Sequence, residues 1–460
     1  MSFLTSKVKP FEISKWLVWE AYQKVRANKG APGVDGETIE EFEQDLENNL
    51  YRLWNRLSSG TYFPPPVKAV EIPKAGGRGV RILGVPTVSD RIAQTAAAMI
   101  LEKKVEPIFR PDSYGYRPGR SALDAVAACR ERCWKYNWVI DLDVQAFFDN
   151  VDHSLLLKAV ERHIDTEHRW VLLYVRRWLV APLQTAAGQQ QARERGTPQG
   201  SAISPVLANL FMHYAFDTWL EREEPMARFE RYCDDAVIHC HSQGQAQRVL
   251  AALTERMSTV GLQLHPAKTR IVYCKDVRRR GSAEHTSFTF LGYTFRPRLA
   301  KNKEGTHFVG FVPAVSRDAV ISMGRTIRSW RIGRRSDLSL NDLADIINGV
   351  VRGWINYYGR FYKSALYPLL QRINEHLVRW ACRKYKRCRR RPRRARSIFA
   401  EIARRNPNLF AHGASVSDHP AGRWEPCKSR GLRTVLREPG GEIPPGYSPD
   451  GRIVLRRPEE

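Results

Sequence analysis

Apolar residues recur at helical spacing over residues 13–27 and again over 37–57, which predicts two N-terminal helices. Gly30, Pro32, Gly33 and Gly36 mark the loop between them. Pro64, Pro65 and Pro66 lead into an extended stretch ending at residue 72. A Gly-rich turn over 74–79 separates it from a second strand at 80–85. Residues 89–108 carry Ile92, Thr95, Ala96, Met99 and Ile100 on one helical stripe, and 123–136 read as another helix. A strand is expected at 138–144, helices at 155–163, 170–180 and 204–219, and a strand–turn–strand at 228–241. A helix follows at 245–260, then strands at 270–273 and 287–295. From about residue 315 the pattern is all-helical, over 318–330, 338–362 and 366–386. Residues 413–460 are rich in Pro, Gly and Arg without a sustained period, which predicts a loosely ordered tail.

A chain of 460 residues is long enough for two to four cores. No run of 18 apolar residues predicts a membrane helix. The first twenty residues lack the apolar core of a secretory signal. Eight cysteines with no Cys-x-x-Cys pair argue against a disulfide scaffold or zinc ribbon, so a reducing cytoplasm is expected. Charge changes the picture more. Lys plus Arg number 74 against 48 Asp plus Glu, a net of +26. Residues 1–300 hold 41 basic and 34 acidic side chains, and residues 301–460 hold 33 and 14. The net is thus +7 in front and +19 behind. The pattern fits an enzyme-like body followed by a grip for a polyanion such as nucleic acid.

The candidate chemistry lies in two carboxylate segments. In Arg231-Tyr-Cys-Asp-Asp-Ala-Val-Ile-His239, adjacent aspartates sit between strand-forming stretches. Strand sides alternate, so two neighbours share one edge only where a turn intervenes, and a hairpin tip supplies it. Trp138-Val-Ile-Asp-Leu-Asp-Val-Gln-Ala-Phe-Phe-Asp149 places Asp141 and Asp143 on one strand face. Brought beside the hairpin, this strand would give three converging carboxylates. Such a cluster calls for a proton or a cation. Its hard oxygens select Mg²⁺ or Mn²⁺, and two such ions serve phosphoryl transfer. Adjacent aspartates also occur in plain solvated turns, and Asp149 and Asp152 suit capping of the next helix.

The order of the blocks between residues 28 and 412 resembles that of bacterial group II intron-encoded reverse transcriptases with their maturase region. Lys29-Gly-Ala-Pro-Gly-Val-Asp-Gly36 resembles the N-terminal extension. Ile72-Pro-Lys74 and Arg81-Ile-Leu-Gly-Val-Pro-Thr87 resemble the fingers hairpin. Ser113-Tyr-Gly-Tyr-Arg-Pro-Gly-Arg-Ser-Ala122, Asp143 to Asp149, Gly196-Thr-Pro-Gln-Gly-Ser-Ala-Ile-Ser-Pro-Val-Leu-Ala-Asn-Leu210, Tyr232-Cys-Asp-Asp235, Gly261-Leu-Gln-Leu-His-Pro-Ala-Lys-Thr269 and Phe290-Leu-Gly-Tyr-Thr-Phe295 follow in the family's order. Arg352-Gly-Trp-Ile-Asn-Tyr-Tyr-Gly-Arg-Phe361 resembles the maturase or thumb domain.

The resemblance implies an α/β (α+β) right-hand polymerase. Its domains would be an N-terminal helical extension (1–60), fingers and palm with an antiparallel sheet (61–300), an all-helical thumb/maturase domain (315–396), and a basic, loosely ordered tail (397–460). It implies RNA-directed DNA polymerisation with two Mg²⁺, or Mn²⁺ in their place, and a maturase role on structured intron RNA. Expected partners are an RNA template, that intron RNA, and a DNA primer or target DNA, with no membrane. Asp143, Asp234 and Asp235 would be the catalytic, metal-binding carboxylates, with Asp141 the local competitor of Asp143. Lys74, Arg81, Phe148, Gln199 and Lys268 would serve the incoming deoxynucleotide. Phe148, five residues after Asp143, would exclude a 2′-hydroxyl or else be a plain core residue. Arg352, Arg360 and Lys363 would follow a nucleic-acid backbone. So would Arg389, Arg390, Arg391, Arg393 and Arg394, within a run of ten Lys or Arg in the fourteen residues 383–396. Trp354, Tyr357, Tyr358, Phe361 and Tyr362, at helical spacing, suit a core better than a stacking platform.

The chain departs from the family pattern in places. Cys233 stands where alanine is commoner, and Gln145 where lysine is frequent. The sequence after His412 does not resemble the family's tail, and no Cys/His array of a nuclease is readable there. Two other readings are an RNA-binding splicing factor without polymerase activity, and a domesticated host or defence reverse transcriptase. The intact Asp143, Asp234 and Asp235 argue against the first.

Overall fold

The computed structural model describes residues 9–73, 79–279, 281–301 and 305–413. The chain divides into two compact units: residues 1–125 with 142–269, and residues 126–141 with 270–460. The expected 61–300 span draws on both units. Residues 270–300 belong with the helices that follow them.

In the first unit, helix Lys15–Ala27 starts where the Ser14 hydroxyl accepts from the Trp16 amide. Val18, Ala21, Tyr22 and Val25, spaced three and four apart, bury its inner face against helix Val88–Val105. The helix expected over 37–57 is two helices, Ile39–Glu43 and Leu46–Ser58, the first opened by a Thr38/Glu41 capping box. Strand Val67–Pro73 pairs antiparallel with Val80–Val85, placing Ile72 opposite Arg81. It also pairs parallel with Leu183–Gln184, which continues to Gln190–Gln191.

Helix Val88–Val105 is buried on several faces, and its first turn carries Asp90, fully buried. A buried carboxyl needs partners, and Asp90 has three. Tyr62 Oη and Trp178 Nε1 donate to Oδ1 at 2.8 and 2.7 Å, and Gln94 Nε2 donates to Oδ2 at 2.9 Å. Gln94 Oε1 in turn accepts from the Ala202 amide at 2.9 Å, tying this core to the Thr197–Gly200 loop region.

The helix expected over 204–219 is interrupted. Helix Ser204–Met212 passes through a π-helical turn, His213–Asp217, before resuming as Thr218–Glu223. After it, strands Arg228–Tyr232 and Asp235–Cys240 form the expected hairpin, closing at Tyr232 opposite Asp235.

In the second unit, Trp138–Asp141 pairs antiparallel with Arg270–Tyr273. A three-stranded sheet runs Phe288–Phe290, Tyr293–Lys301 and His307–Val315. The last strand was not anticipated, because Gly310 and Pro313 interrupt its pattern. Its inner half is nonetheless buried. Helices Arg317–Ser329, Leu340–Tyr362 and Tyr367–Lys384 enclose a core of Ile347, Val351, Leu370, Ile373, Leu377 and Trp380.

Residues 397–405, assigned to the loose tail, are ordered instead. They continue helix Pro392–Arg405, which starts on a proline at its first position and buries Ala395 and Phe399 in the same core. Within 406–412 the chain packs as well, with Asn348 bonded to Leu409 and Ala411, and with His412 buried. The rest of the tail expectation lies outside the described residues, beyond residue 413.

Burial pushes the Asp90 carboxyl up to about 6, against roughly 3.9 for an unfolded aspartate. Between these values the folded chain holds the extra proton, so this group's contribution to stability falls as pH rises from about 4 to about 6. Across that window the melting temperature of Asp90→Asn should gain on that of the wild type. Parallel curves would place the Asp90 pKa near its ordinary value.

Candidate active site

The site grows from the hairpin tip. Cys233 adopts φ +62°, a left-handed conformation unusual for a side chain with a Cβ, and the two-residue tip turns tightly there. Cys233 points inward, where burial pushes its thiol up to about 12, so it packs as a neutral group. Asp234 is half-buried at the tip, and Asp235 is exposed as the first residue of the return strand. The turn thus lets both neighbours reach one end of the hairpin.

Asp143 follows strand Trp138–Leu142, where the chain bends into the short helix Phe147–Asn150 through Ala146 at φ +46°. Its backbone is pinned from the other side. The His265 amide donates to the Asp143 carbonyl at 2.8 Å, and Gln145 donates to Gln263 at 2.8 Å. Asp143 and Asp234 feel each other. Burial first, and then the Asp143 charge, raises the Asp234 pKa, while Arg81 opposes the shift. Asp141 has its own partner, Arg270 at 3.4 Å, and its side chain is more covered than that of Asp143. Asp143, rather than Asp141, is the carboxylate whose charge acts on Asp234.

Lys268 Nζ lies 2.8 Å from Asp143 Oδ2. The lysine expected at a nucleotide's phosphates is therefore paired with a carboxylate of the cluster. Arg81 is exposed on its strand, near enough to act on both Asp234 and Tyr116. Lys74 lies outside the described residues. Phe148 is half-buried against the fully packed Phe147, rings 5.2 Å apart and near perpendicular. The Phe148 carbonyl accepts from the Thr197 amide at 2.7 Å, and Gln199 accepts through its carbonyl from Gly84 at 2.7 Å. These two contacts hold the Thr-Pro-Gln-Gly loop between the Asp143 segment and strand Val80–Val85.

Residues that sequence patterns did not single out complete the setting. Arg231 is wholly buried and ion-paired to Asp217, its Nε 2.6 Å from Oδ1. Tyr116 is exposed at φ +54°, its ring 6.2 Å from that of Tyr232. Partial burial, then Cys233, Tyr232 and Asp234, raise its phenol above the ordinary value. It shares its left-handed backbone with Cys233 and Ala146, and no sequence rule marks a tyrosine for it. Gly115, one residue earlier, comes so close to the tip that an added Cβ would lie 2.6 Å from the Cys233 nitrogen.

In the second unit, the aromatic group of helix Leu340–Tyr362 is structural. Trp354 stacks on Trp330 at 5.7 Å, and Tyr357 Oη donates to Leu291 at 2.9 Å. Tyr362 Oη donates to Leu299 at 2.8 Å. Phe361 and Tyr358 pack on Tyr293. Arg352 and Arg360 are exposed on that helix, and Lys363 beyond it is half-buried. Arg389, Arg390, Arg391, Arg393 and Arg394 are all exposed, whereas Arg396 of the same run pairs with Glu375 at 3.1 Å.

Residues 72–295 match the family described as reverse transcriptase (RNA-dependent DNA polymerase), and residues 320–399 match the group II intron, maturase-specific domain. The chain carries a reverse transcriptase domain followed by a group II intron maturase domain. The group II intron-encoded protein LtrA of Lactococcus lactis subsp. cremoris is 33% identical over 199 residues, 43% of this chain and 32% of that protein. Protein YkfC of Escherichia coli (strain K12) is 37% identical over 215 residues, 45% of this chain and 54% of that protein. An uncharacterized 91 kDa protein in the cob intron of Schizosaccharomyces pombe is 24% identical over 427 residues, 76% of this chain and 50% of that protein. The chain thus spans about a third to a half of these relatives' lengths. The fold class is the one the sequence leads to, a mixed α/β reverse transcriptase domain followed by helices. Among the described residues no helix is long and apolar enough to cross a membrane.

Reverse transcriptases use divalent metal ions. The donor set here fits one: hard carboxylate oxygens, a half-buried Asp234 whose charge is opposed by Asp143, and an Asp143 still reachable from solvent.

Gly115→Ala forces a backbone shift at the tip, since the obstructing atom is main-chain nitrogen. The substitution should cost roughly 1–3 kcal/mol of stability, read by denaturant unfolding. Unchanged stability would mean that the 112–116 loop yields freely and is not packed on the tip.

Proposed function

We propose that this chain is an RNA-directed DNA polymerase that also grips structured intron RNA as a maturase. The reading is carried by one observation: the Asp143 charge acts on Asp234 at the tip of the hairpin, inside a reverse transcriptase domain. Asp143, Asp234 and Asp235 would hold two Mg²⁺, with Mn²⁺ as a substitute. When bound, these ions would activate the primer's hydroxyl and stabilise the leaving oxygen.

The chain's own residues prepare that site. Lys268 and Arg81 lower the repulsion among the carboxylates. The Arg81 guanidinium suits a triphosphate, and we assign Lys74 to the same role on its place in the sequence. Gln199, in a loop bonded to strand Val80–Val85, would contact the incoming nucleotide. Phe148, half-exposed beside the packed Phe147, suits the gate against a 2′-hydroxyl. We assign residues 1–60 to an N-terminal extension, 61–300 to fingers and palm, and 315–396 to the thumb/maturase domain. The RNA template, a DNA primer and the intron RNA are the partners this reading requires. Arg352, Arg360, Lys363 and the exposed arginines of 389–394 would hold phosphates.

Extension of a DNA primer on an RNA template tests the chemistry. Asp234→Asn should abolish extension while RNA affinity is largely kept. Wild-type-like extension by that variant would overturn the site assignment.

The grip is tested separately. Each phosphate contact releases condensed counterions, so affinity falls steeply with salt. Replacing Arg389, Arg390, Arg391, Arg393 and Arg394 with Gln should weaken RNA binding and flatten its dependence on salt. Extension on a saturating short template should survive. An unchanged salt slope would make these arginines a solvated surface, and loss of extension would place them in the catalytic body.

A further inference from the structure

Arg231 precedes the Tyr-Cys-Asp-Asp turn, and its guanidinium is fully inside the protein. Every donor of the fork is used. Nε and Nη2 donate to the two oxygens of Asp217, each at 2.6 Å. Nη1 donates to Asn209 Oδ1 at 3.0 Å and to the Cys233 carbonyl at 2.9 Å. Nη2 also donates to Ser113 Oγ at 2.8 Å. The main chain is held as well, with the Arg231 amide donating to Asp112 at 2.9 Å and its carbonyl accepting from Tyr114 at 2.8 Å.

A buried ion pair is an expensive way to fill volume, and a well-packed apolar group often serves better. The pair therefore calls for a reason beyond packing, and the Cys233 contact supplies one. That carbonyl belongs to the peptide joining Cys233 to Asp234. It sits in a left-handed turn that a residue with a Cβ adopts only at a cost. A fixed donor on that oxygen sets the plane of the peptide and so the direction in which Asp234 leaves the turn.

We propose that Arg231 is a positioning residue for the metal-binding carboxylates. Through the Cys233 carbonyl it holds Asp234 in register with Asp143, and it touches neither nucleic acid nor nucleotide. The inference rests on the polymerase reading above and deepens it.

Arg231→Lys keeps the charge and the apolar stem but replaces the planar fork with one point of three donors. Asn209→Ala is the milder variant. It leaves the Arg231–Asp217 pair intact and removes one acceptor of Arg231, along with the Asn209 donation to the Gly115 carbonyl at 2.6 Å. The full chain is assayed in two ways. The first is single-nucleotide extension of a DNA primer on RNA, with dNTP and Mg²⁺ varied independently. The second involves no turnover: Mn²⁺ binding, read by electron paramagnetic resonance, to a complex with chain-terminated primer–template and the next dNTP.

Arg231→Lys should lower kcat on the order of tenfold or more, with dNTP KM and RNA affinity little changed. It should raise the Mg²⁺ requirement and weaken Mn²⁺ binding in the terminated complex. Asn209→Ala should shift the same quantities in the same direction, by less. Folded variants with wild-type kcat and Mn²⁺ affinity would overturn the proposal. So would losses that merely track the unfolded fraction in a thermal melt. If Arg231→Lys does not fold, Asn209→Ala decides. If the wild type itself fails to extend a primer on RNA, the polymerase reading falls, and the Mn²⁺ arm still judges Arg231.

Discussion

The buried pair of Arg231 and Asp217 is the constraint on which the first unit's site depends. Both side chains are closed to water, so each charge would be strongly destabilising alone. Together they satisfy one another and leave three guanidinium donors for Asn209, Ser113 and Cys233. Those three residues come from helix Ser204–Met212, the 112–116 loop and the hairpin tip. One charged group thus joins three segments distant in sequence. Removing one partner of such a pair typically costs about 3–5 kcal/mol, a large share of a domain's net stability.

The surface of the site obeys a different rule. Lys268 and Asp143 are paired but partly exposed. Exposed pairs contribute about 0–1 kcal/mol, since water screens them. A pair of this kind positions charge without locking it, so Asp143 remains available to a cation of higher charge. Arg81 acts on Asp234 at longer range, tempering repulsion without a direct ion pair. The scaffold beneath the carboxylates is therefore rigid and desolvated, while the groups facing solvent are held by weak forces. That division suits a site whose charge must be rearranged each time substrate enters and leaves.

Much of this was legible in the sequence because local rules agreed with the fold. Two adjacent aspartates between strand-forming runs demanded a tip, and the tip is there. Strands Val80–Val85 and Arg270–Tyr273 were read to the residue, since β-branched alternation ended at clear breakers. The partners of Arg231 were not legible. Eight residues separate Asn209 from Asp217, and an α-helix turns about 80° beyond two full turns over that distance. On a regular helix the two would not converge on one guanidinium. The π-helical turn at His213–Asp217 takes up that excess, and nothing in His-Tyr-Ala-Phe-Asp announces it. The Lys268–Asp143 pair and the exposure of Tyr116 were hidden for a related reason. Each depends on where distant segments meet, which periodicity within one segment does not encode. Strand His307–Val315 was missed because tertiary pairing with Tyr293–Lys301 overrode a Gly and a Pro in its pattern.

The second unit shows how one stretch of sequence divides its labour. The aromatics of helix Leu340–Tyr362 are drawn inward: their hydroxyls are satisfied by the backbone at Leu291 and Leu299, and Trp354 is stacked on Trp330. Rings committed this way are not free to stack on bases, the usual sequence-tolerant hold on single strands. What the same region leaves outside includes guanidinium, at Arg352, Arg360 and the arginines of 389–394, beside the exposed ring of Tyr385. Phosphate contact of that kind positions a nucleic acid without reading its bases. On the proposed reading, then, these guanidinium groups discriminate one RNA from another by shape. Fixed charges reward a backbone folded to meet all of them at once and leave an extended strand meeting only a few. That is the property a maturase needs, since the intron RNA it is proposed to hold is defined by its fold.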